Sequence, residues 1–425
     1  MQRVLLLVPS TSYRTSDFLS AARQIAVEVT VGSNHGQGLQ EYSHGQSLAL
    51  DFEPVGEGVS QILAHARRYP FSAILATDDE TTVLAATAAK LLGLPGNDPE
   101  SVAPTRDKHR FRQALAGSGV RSPWFELVDL REDLAMSAKA VTYPCVLKPL
   151  NLSASRGVIR VDDEPEFVAA AERIACILRE ELTPTDTRYV RSVLAEAFIP
   201  GREVALDGLL THGVLKPLAL FDKPDPLDGP FFEESLYVTP SRLPDALQWE
   251  IVAEIARAAS ALGLRHGPIH AELRINEEGV WTVELAARSI GGLCSRALEF
   301  VPGMKLEELI LRHALGLPTD NFAREADAAG VMMIPIPRAG RLRAVHGLDA
   351  ARSVSGIVDV TLGIPTGEML MPLPEGGRYL GFIFGKAGEP DEVEAALREA
   401  HRRLRFDIEP SSTMSDETGS KICLS

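Results

Sequence analysis

The chain has 425 residues, 45% hydrophobic and 24% charged, an ordinary globular composition with room, at ~150 residues per domain, for two to four domains. Its 43 basic and 58 acidic residues leave a net charge of −15, which repels polyphosphate backbones and anionic lipid and so excludes a general nucleic-acid or membrane binder. A locally basic pocket for one small anion is compatible with that balance.

The N-terminal apolar run Val4–Val8 stops at Pro9 and a Ser/Thr stretch. It is too short for a signal peptide or a span and reads as a buried first strand. Helix Asp17–Ala26, strand Val27–Val31, helix Val59–Tyr69, strand Ala73–Ala76 and helix Glu80–Leu92 follow, the last stopped by the Gly93–Gly96 turn region. Such alternation predicts a small parallel α/β domain. No GxGxxG follows the first strand, so a dinucleotide fingerprint is absent.

A helix after Asp107, a strand at Trp124–Val128 and a helix from Glu132 lead to the apolar strand Cys145–Lys148. The polar loop Asn151–Gly157, a short strand Val158–Val161 and a helix Pro165–Ile177 come next. Strands are predicted at Val193–Ala197, Glu203–Leu210 and Gly213–Phe221, then a long loop over Lys223–Pro240 of the kind that often carries function. Helix Asp245–Leu262 precedes strands Pro268–Ile275 and Val280–Ala286. The last hundred residues read as an α+β unit with strands Val331–Ile336 and Tyr379–Phe384 and helix Glu392–Leu404; Ser411–Ser425 is polar and expected to be disordered. Cys145, Cys176, Cys294 and Cys423 are scattered without CxxC or zinc spacing, as expected of reduced thiols in a cytoplasmic protein.

The strands around Asn276–Gly279 carry the most informative pattern. His270, Glu272 and Arg274 alternate with apolar residues, and Thr282, Glu284 and Ala286 share a face of the second strand. A three-residue loop Glu277-Glu278-Gly279 pairs Asn276 with Val280 and sets Glu272 opposite Glu284. Like charges so placed repel unless a cation such as Mg²⁺ lies between them; the plain alternative is a solvated hairpin face. Four features join this pair. Lys148 ends an apolar strand, as a surface end-cap or a phosphate ligand. The small-residue loop Ser153–Gly157 suits either a phosphate cover or a plain turn, and is not a Walker A loop. Glu196-Ala197-Phe198-Ile199-Pro200-Gly201-Arg202-Glu203 turns one strand into another with acids at both ends, and Arg288 stands four residues beyond Glu284, before Gly291-Gly292.

That order resembles the ATP-grasp superfamily, whose members share a helix Lys, a strand Lys, a small-residue phosphate loop, an E-x-F/Y-x-x-G-x-E hinge and two metal-binding carboxylates. Here these look like Lys108, Lys148, Ser153–Gly157, Glu196 to Glu203, and Glu272 with Glu284. Leu92–Gly96 and Gly119–Pro123 are also typical of that superfamily, and the resemblance covers the chain to about residue 410. His270-Ala271-Glu272, Glu284–Arg288 and the C-terminal Gly381–Lys386 pattern look most like carboxylate–amine ligases related to L-amino-acid (dipeptide) ligases. Where many members carry Asn two residues after the second carboxylate, this chain has Ala286, which leaves a third metal ligand open.

The resemblance implies an α/β fold with an α+β grasp core. It places a Rossmann-like pre-ATP-grasp domain at 1–100, an ATP-grasp domain at 101–320 with a small lid subdomain at 145–200, a C-terminal α+β domain at 321–410 and a tail at 411–425. It implies ATP and Mg²⁺, or Mn²⁺ in its place. Lys108 and Lys148 would hold phosphates, Ser153, Ser155 and Gly157 would cover them, and Glu203 would hold the ribose. Glu196 and Phe198 would bind ATP, backbone groups near Ala197 and Phe198 would read the adenine, and Glu272 with Glu284 would hold the metal. Arg288 would stabilise an acyl phosphate. His270, Gly291 and Gly292 would meet substrate, with the general base unassigned. The partners implied are a small carboxylate, an amine and a second copy of the chain as a homodimer. An ATP-grasp carboxylase working through carboxyphosphate and a non-catalytic nucleotide sensor are the competing readings; the acyl-phosphate clamp Arg288 weighs against the sensor.

Overall fold

The computed structural model describes residues 2–410 apart from 11, 13, 35–44, 182–186, 302, 320 and 321. The tail expected to be disordered, and Cys423 with it, lies outside the described residues. The chain forms two units. The first holds Met1–Ser122, Val204–Asp222 and Thr239–Ala326, the second Pro123–Glu203, Lys223–Val238 and Asp327–Ser425. Among the described residues no helix is long and apolar enough to cross a membrane.

The first unit opens with strands β1 (Arg3–Leu7), β2 (Glu28–Ser33), β3 (Ser47–Ala49) and β4 (Ala73–Ala76), in the order β3-β2-β1-β4 with each adjacent pair parallel. Val4, Leu5, Leu6 and Leu7 are all fully buried, as a central parallel strand covered on both faces requires. Helices α1 (Thr15–Gln24) and α2 (Val55–Ala66) connect the strands, and α3 (Thr82–Leu91) follows β4. The parallel α/β expectation is met; β3, three residues long, gave no period to detect. Asp78 and Asp79 follow β4 after Thr77, at the strand ends where open parallel sheets bind ligands.

A short helix α4 (Pro99–Val102) leads to α5 (Lys108–Leu115), whose N-cap Asp107 accepts the Arg110 N–H at 3.0 Å and leaves Lys108 as first helical residue. With α9 (Asp245–Leu262), α5 packs on strands β9 (Arg202–Thr211), β12 (Gly267–Asn276) and β13 (Gly279–Ala286) around Phe111, Leu115, Ile255, Leu206, Ala271 and Leu285. The strand order is β13-β12-β9-β10, with β10 at Val214–Lys223. Strands β14 (Glu299–Val301), β15 (Met304–Lys305) and β16 (Ala323–Arg324) and helix α10 (Leu306–Ala314) complete this unit.

The hairpin departs from its predicted turn. Asn276 pairs with Gly279 and Arg274 with Trp281, so the loop is Glu277-Glu278 alone. The cause is the Asn276 side chain, whose Oδ1 accepts both the Glu278 N–H and the Trp281 indole N–H at 3.0 Å. A regular ladder from that turn would set Glu272 opposite Val283. A β-bulge takes up Val283 as an extra residue, and Glu272 faces Glu284 after all. Thr282, expected beside Glu284, instead turns to the core with Val280 and Leu285.

In the second unit, β5 (Phe125–Asp129), β6 (Cys145–Pro149), β7 (Ile159–Val161) and β8 (Ser192–Ala197) make an antiparallel sheet in the order β5-β8-β6-β7. Helices α6 (Leu134–Ala140), α7 (Glu164–Glu181) and α8 (Thr187–Arg191) accompany it, with Phe167 and Ile174 of α7 fully buried against the sheet. The 223–240 segment, predicted as loop throughout, contains β11 (Leu236–Thr239). Its four residues are all buried, and so short a run between polar stretches shows no alternation. It neighbours β17 (Ala328–Ile334), beyond which the sheet continues through β21 (Gly381–Ala387) to β19 (Ile357–Leu362), while β18 (Gly340–His346), β20 (Met369–Leu370) and β22 (Arg405–Glu409) form a second small sheet. Helices α11 (Leu348–Arg352) and α12 (Pro390–Arg402) cover them, α12 burying Val393, Leu397 and Ala400.

In the first unit, His212 and Gly213 turn β9 into β10 at φ +52° and +89°, the two positive angles a type I′ turn needs. His212 lies in a row with His266 and His313; the last two stack with centroids 4.4 Å apart, and His313 Nε2 meets Thr211 Oγ1 at 2.9 Å. Burial, then its two histidine neighbours, pushes His313 down to about 4. The unfolded chain binds that proton near 6.5, so the His313 contribution is intact above pH 6.5 and lost as pH falls towards 4. Acidification through this window should lower the unfolding free energy, by up to ~1.4 kcal/mol per pH unit. Urea unfolding of His313→Gln against wild type should show the slope flattened in the variant; parallel curves would refute the assignment.

Candidate active site

The first unit assembles one cluster of charges. Glu272 and Glu284 face each other across β12 and β13, both partly exposed on the side away from the core. His270, on the same face of β12, lies between two acids, with Nδ1 3.5 Å from Asp207 and Nε2 3.6 Å from Glu272. Burial alone would favour the neutral ring, but Asp207 and Glu272 outweigh it and raise His270 to about 9. Asp207, 1% exposed in the middle of β9, also accepts the Ile290 N–H at 2.9 Å, tying down the segment that leads to Gly291 and Gly292.

Arg288 is not a free cation. Its Nη2 meets Asp79 at 2.6 Å and its Nη1 donates to the Ser289 carbonyl at 2.9 Å. Burial opposes both charges, yet Arg288 holds Asp79 below the usual carboxylate range, and Asp79 and Glu284 hold Arg288 firmly protonated. Arg106 and Lys108 also act on Asp79, which places the α5 lysine in this same field. Among the described residues, the sequence reading missed Asp79 and Asp207. Asp207 was visible as the lone acid in the apolar run Val204–Leu210, and Asp79 as an acid just past a parallel strand.

The second unit carries its own polar cluster. Lys148 on β6 pairs with Glu196 on the neighbouring β8, both largely buried. Glu203 accepts from Lys223 Nζ at 2.8 Å, and Glu234 holds the same ammonium, which lies 5.0 Å from the Tyr237 ring. Lys223 was read only as the start of a loop. Phe198 carries the Arg160 guanidinium 4.1 Å above its ring. The N–H groups of Ala197 and Phe198 are taken by the Trp124 and Pro144 carbonyls, so they are not donors for a base in this arrangement.

Ser153–Gly157 forms a tight loop with Ala154, Ser155 and Gly157 at φ +54°, +55° and +70°. The Gly157 N–H, expected to face phosphate, donates to Pro374 at 2.8 Å, and Arg156 Nε donates to the Glu375 carbonyl at 2.7 Å. Arg173 grips the Glu375 carboxylate through two nitrogens at 2.5 and 3.0 Å. The loop is thereby fastened to the 374–375 segment.

Comparison with known proteins agrees with this chemistry. Family models match as an ATP-grasp N-terminal domain over 19–96, an ATP-grasp domain over 141–297 and an L-amino acid ligase C-terminal domain over 332–409. The chain is 25% identical to alanine–anticapsin ligase of Bacillus subtilis (strain 168) over 323 residues, 72% of this chain and 67% of that protein. It is 25% identical to dapdiamide A synthase of Enterobacter agglomerans over 322 residues, 73% and 74% of the two chains. The crystal structure of L-amino acid ligase from Bacillus licheniformis superposes with a TM-score of 0.83 at 25% identity, covering 96% of this chain and 99% of that one. The chain is therefore an ATP-grasp carbon–nitrogen ligase. Within that superfamily it belongs with the L-amino-acid-ligase-like proteins, which catalyse ATP-dependent, peptide-like ligation.

Gly157 gives a direct test of the loop. A Cβ there would stand 2.6 Å from Pro149 Cγ at a φ that L-residues avoid, so Gly157→Ala should cost ~1–2 kcal/mol in chemical denaturation. Gly56→Ala, in helix α2 with nothing near its Cβ and no positive φ, should be neutral or stabilising by up to ~1 kcal/mol. Equal effects at the two sites would rule out the strain account.

Proposed function

We propose that the protein joins an amino acid or related small carboxylic acid to an amine through an acyl phosphate, cleaving ATP to ADP and phosphate. The observation that carries this reading is the opposed pair Glu272 and Glu284 with Arg288 four residues beyond it. A pure nucleotide binder needs no second carboxylate and no buried cation beside it. The match of an L-amino acid ligase C-terminal domain favours this over a carboxylase.

The all-oxygen donor pair suits a hard divalent cation, Mg²⁺ or Mn²⁺. When bound, such an ion neutralises charge on the phosphates. This chain's own residues would do the rest. Lys108 is assigned to the phosphates from the N-terminus of α5, and Lys148, beside Glu196, to the same task. Glu203 and Lys223 are assigned to the nucleotide side, with Phe198 and its Arg160 cover. A substrate carboxylate oxygen attacks the γ-phosphorus and the bond to the bridging β-oxygen breaks, releasing ADP. The amine then attacks the acyl carbon and phosphate leaves. Arg288, held in one orientation by Asp79 and the Ser289 carbonyl, is assigned to the acyl phosphate; its fixed fork needs no reorganisation as charge develops. His270, between Asp207 and Glu272, orients that glutamate, and the Gly291-Gly292 backbone lies next to the substrate.

The test is ADP and phosphate release with Mg·ATP and pools of L-amino acids, with mass spectrometry of the products. Amino-acid-dependent ADP, phosphate and a new amide mass are expected. AMP and pyrophosphate would sink the acyl-phosphate step, and turnover with bicarbonate alone would favour the carboxylase. Arg288→Met should lower turnover by ~10²–10³-fold, the loss typical of one charge-stabilising donor, while nucleotide binding persists.

A further inference from the structure

Arg112 lies one helical turn beyond Lys108, on the same side of α5. It is 1% exposed, and arginine is almost never so buried without specific partners. Its Nη1 donates to the Thr282 carbonyl at 2.8 Å and its Nη2 to the Val283 carbonyl at 2.9 Å. These two residues make the bulge. Thr282 ends the register that starts at the turn, and Val283 is the residue the bulge absorbs. A bulge disrupts the ladder locally and leaves backbone groups in need of new partners. A planar guanidinium offers parallel N–H groups to two adjacent carbonyls, which an ammonium cannot match. The Phe111 ring, 5.3 Å from the guanidinium carbon, lies beside it.

We propose that Arg112 is a positioning residue for the metal carboxylates: by holding the Thr282 and Val283 carbonyls it fixes the bulge that brings Glu284 opposite Glu272. The inference rests on the reading of that pair as metal ligands. Its role in this proposal runs through these two backbone carbonyls. Without the bulge, Val283 takes the place opposite Glu272 and Glu284 moves to the other face, because a one-residue slip inverts every side chain beyond it. Lys108 rides on the same helix, so one rigid element sets both the phosphate lysine and the carboxylate register.

The test compares Arg112→Lys and Arg112→Met with wild type and Glu284→Gln in the full chain. Mn²⁺ binding is followed by EPR of the free ion in the presence of a non-hydrolysable ATP analogue, with thermal unfolding in parallel. Arg112→Lys keeps the charge and one donor, and the outcome is judged on it even where Arg112→Met fails to fold. It should weaken Mn²⁺ binding ~10-fold or more, as loss of an outer partner of a ligand typically does, and raise the Mg²⁺ requirement of turnover in step. Binding of the analogue without metal should be unchanged. In the Glu284→Gln background the same substitution should have no further effect on the metal. Mn²⁺ binding within twofold of wild type, or an equal loss with and without Glu284, would leave Arg112 a merely structural residue and overturn the inference. Unchanged Mn²⁺ binding in Glu284→Gln itself would overturn the metal reading, a different failure with a different signature.

Discussion

Two glutamates held opposite each other on one sheet face repel, and the first unit is organised around that repulsion. Like charges at directly opposed positions destabilise a hairpin, so their persistence needs compensation nearby. Each glutamate has a cation beside it, and each cation is backed by an aspartate from another element. Glu272 has His270 and, behind it, Asp207 of β9; Glu284 has Arg288 and, behind that, Asp79 after β4. With His270 protonated, these two cations face four carboxylates, and Arg106 and Lys108 act on Asp79 besides. Buried charge of this kind is expensive and is weak evidence for stability. A fold that retains it on four separate strands and loops has placed its strain where chemistry is proposed to occur.

The same principle explains what could be read from the sequence. Core strands such as Val4–Leu7 and helix Asp245–Leu262 were legible because period and composition agree there with burial. Glu272 and Glu284 were legible as a facing pair, yet the predicted three-residue loop was wrong. Two departures cancelled: Asn276 shortened the turn by accepting two donors, and Val283 restored the register as a bulge. Neither is visible to a two-residue period. Both depend on side-chain hydrogen bonds, one local at Asn276 and one from Arg112, 170 residues away in sequence. Asp79, too, becomes meaningful only when β4 and the Arg288 segment meet in space.

The second unit shows the same limit from the other side. Lys148 and Glu196 were each plausible as surface residues, and it is strand pairing between β6 and β8 that joins them as a largely buried pair. The small-residue loop Ser153–Gly157 was legible from composition, but not its fastening. Gly157 and Arg156 both bond to the 374–375 backbone, more than 200 residues later, and Arg173 holds Glu375 from a third place. The C-terminal segment thus sets the conformation of the small-residue loop. An amide that already has a carbonyl partner can donate to another acceptor only by exchanging that bond, so the phosphate contact expected of Gly157 and its attachment at Pro374 are alternatives for one donor.

Arg112 unites these threads because it converts helix position into strand register. Its two carbonyl partners lie on consecutive residues, so the hold is sensitive to rotation of the backbone as well as to distance. A bulge otherwise has several ways to relax, and each would re-aim Glu284 by a different amount. Fixing one of them from a buried, planar, permanently charged group removes that freedom before any ligand arrives. The binding energy of a metal–nucleotide complex is then not consumed in ordering the hairpin, which is the physical content of preorganisation at such a site.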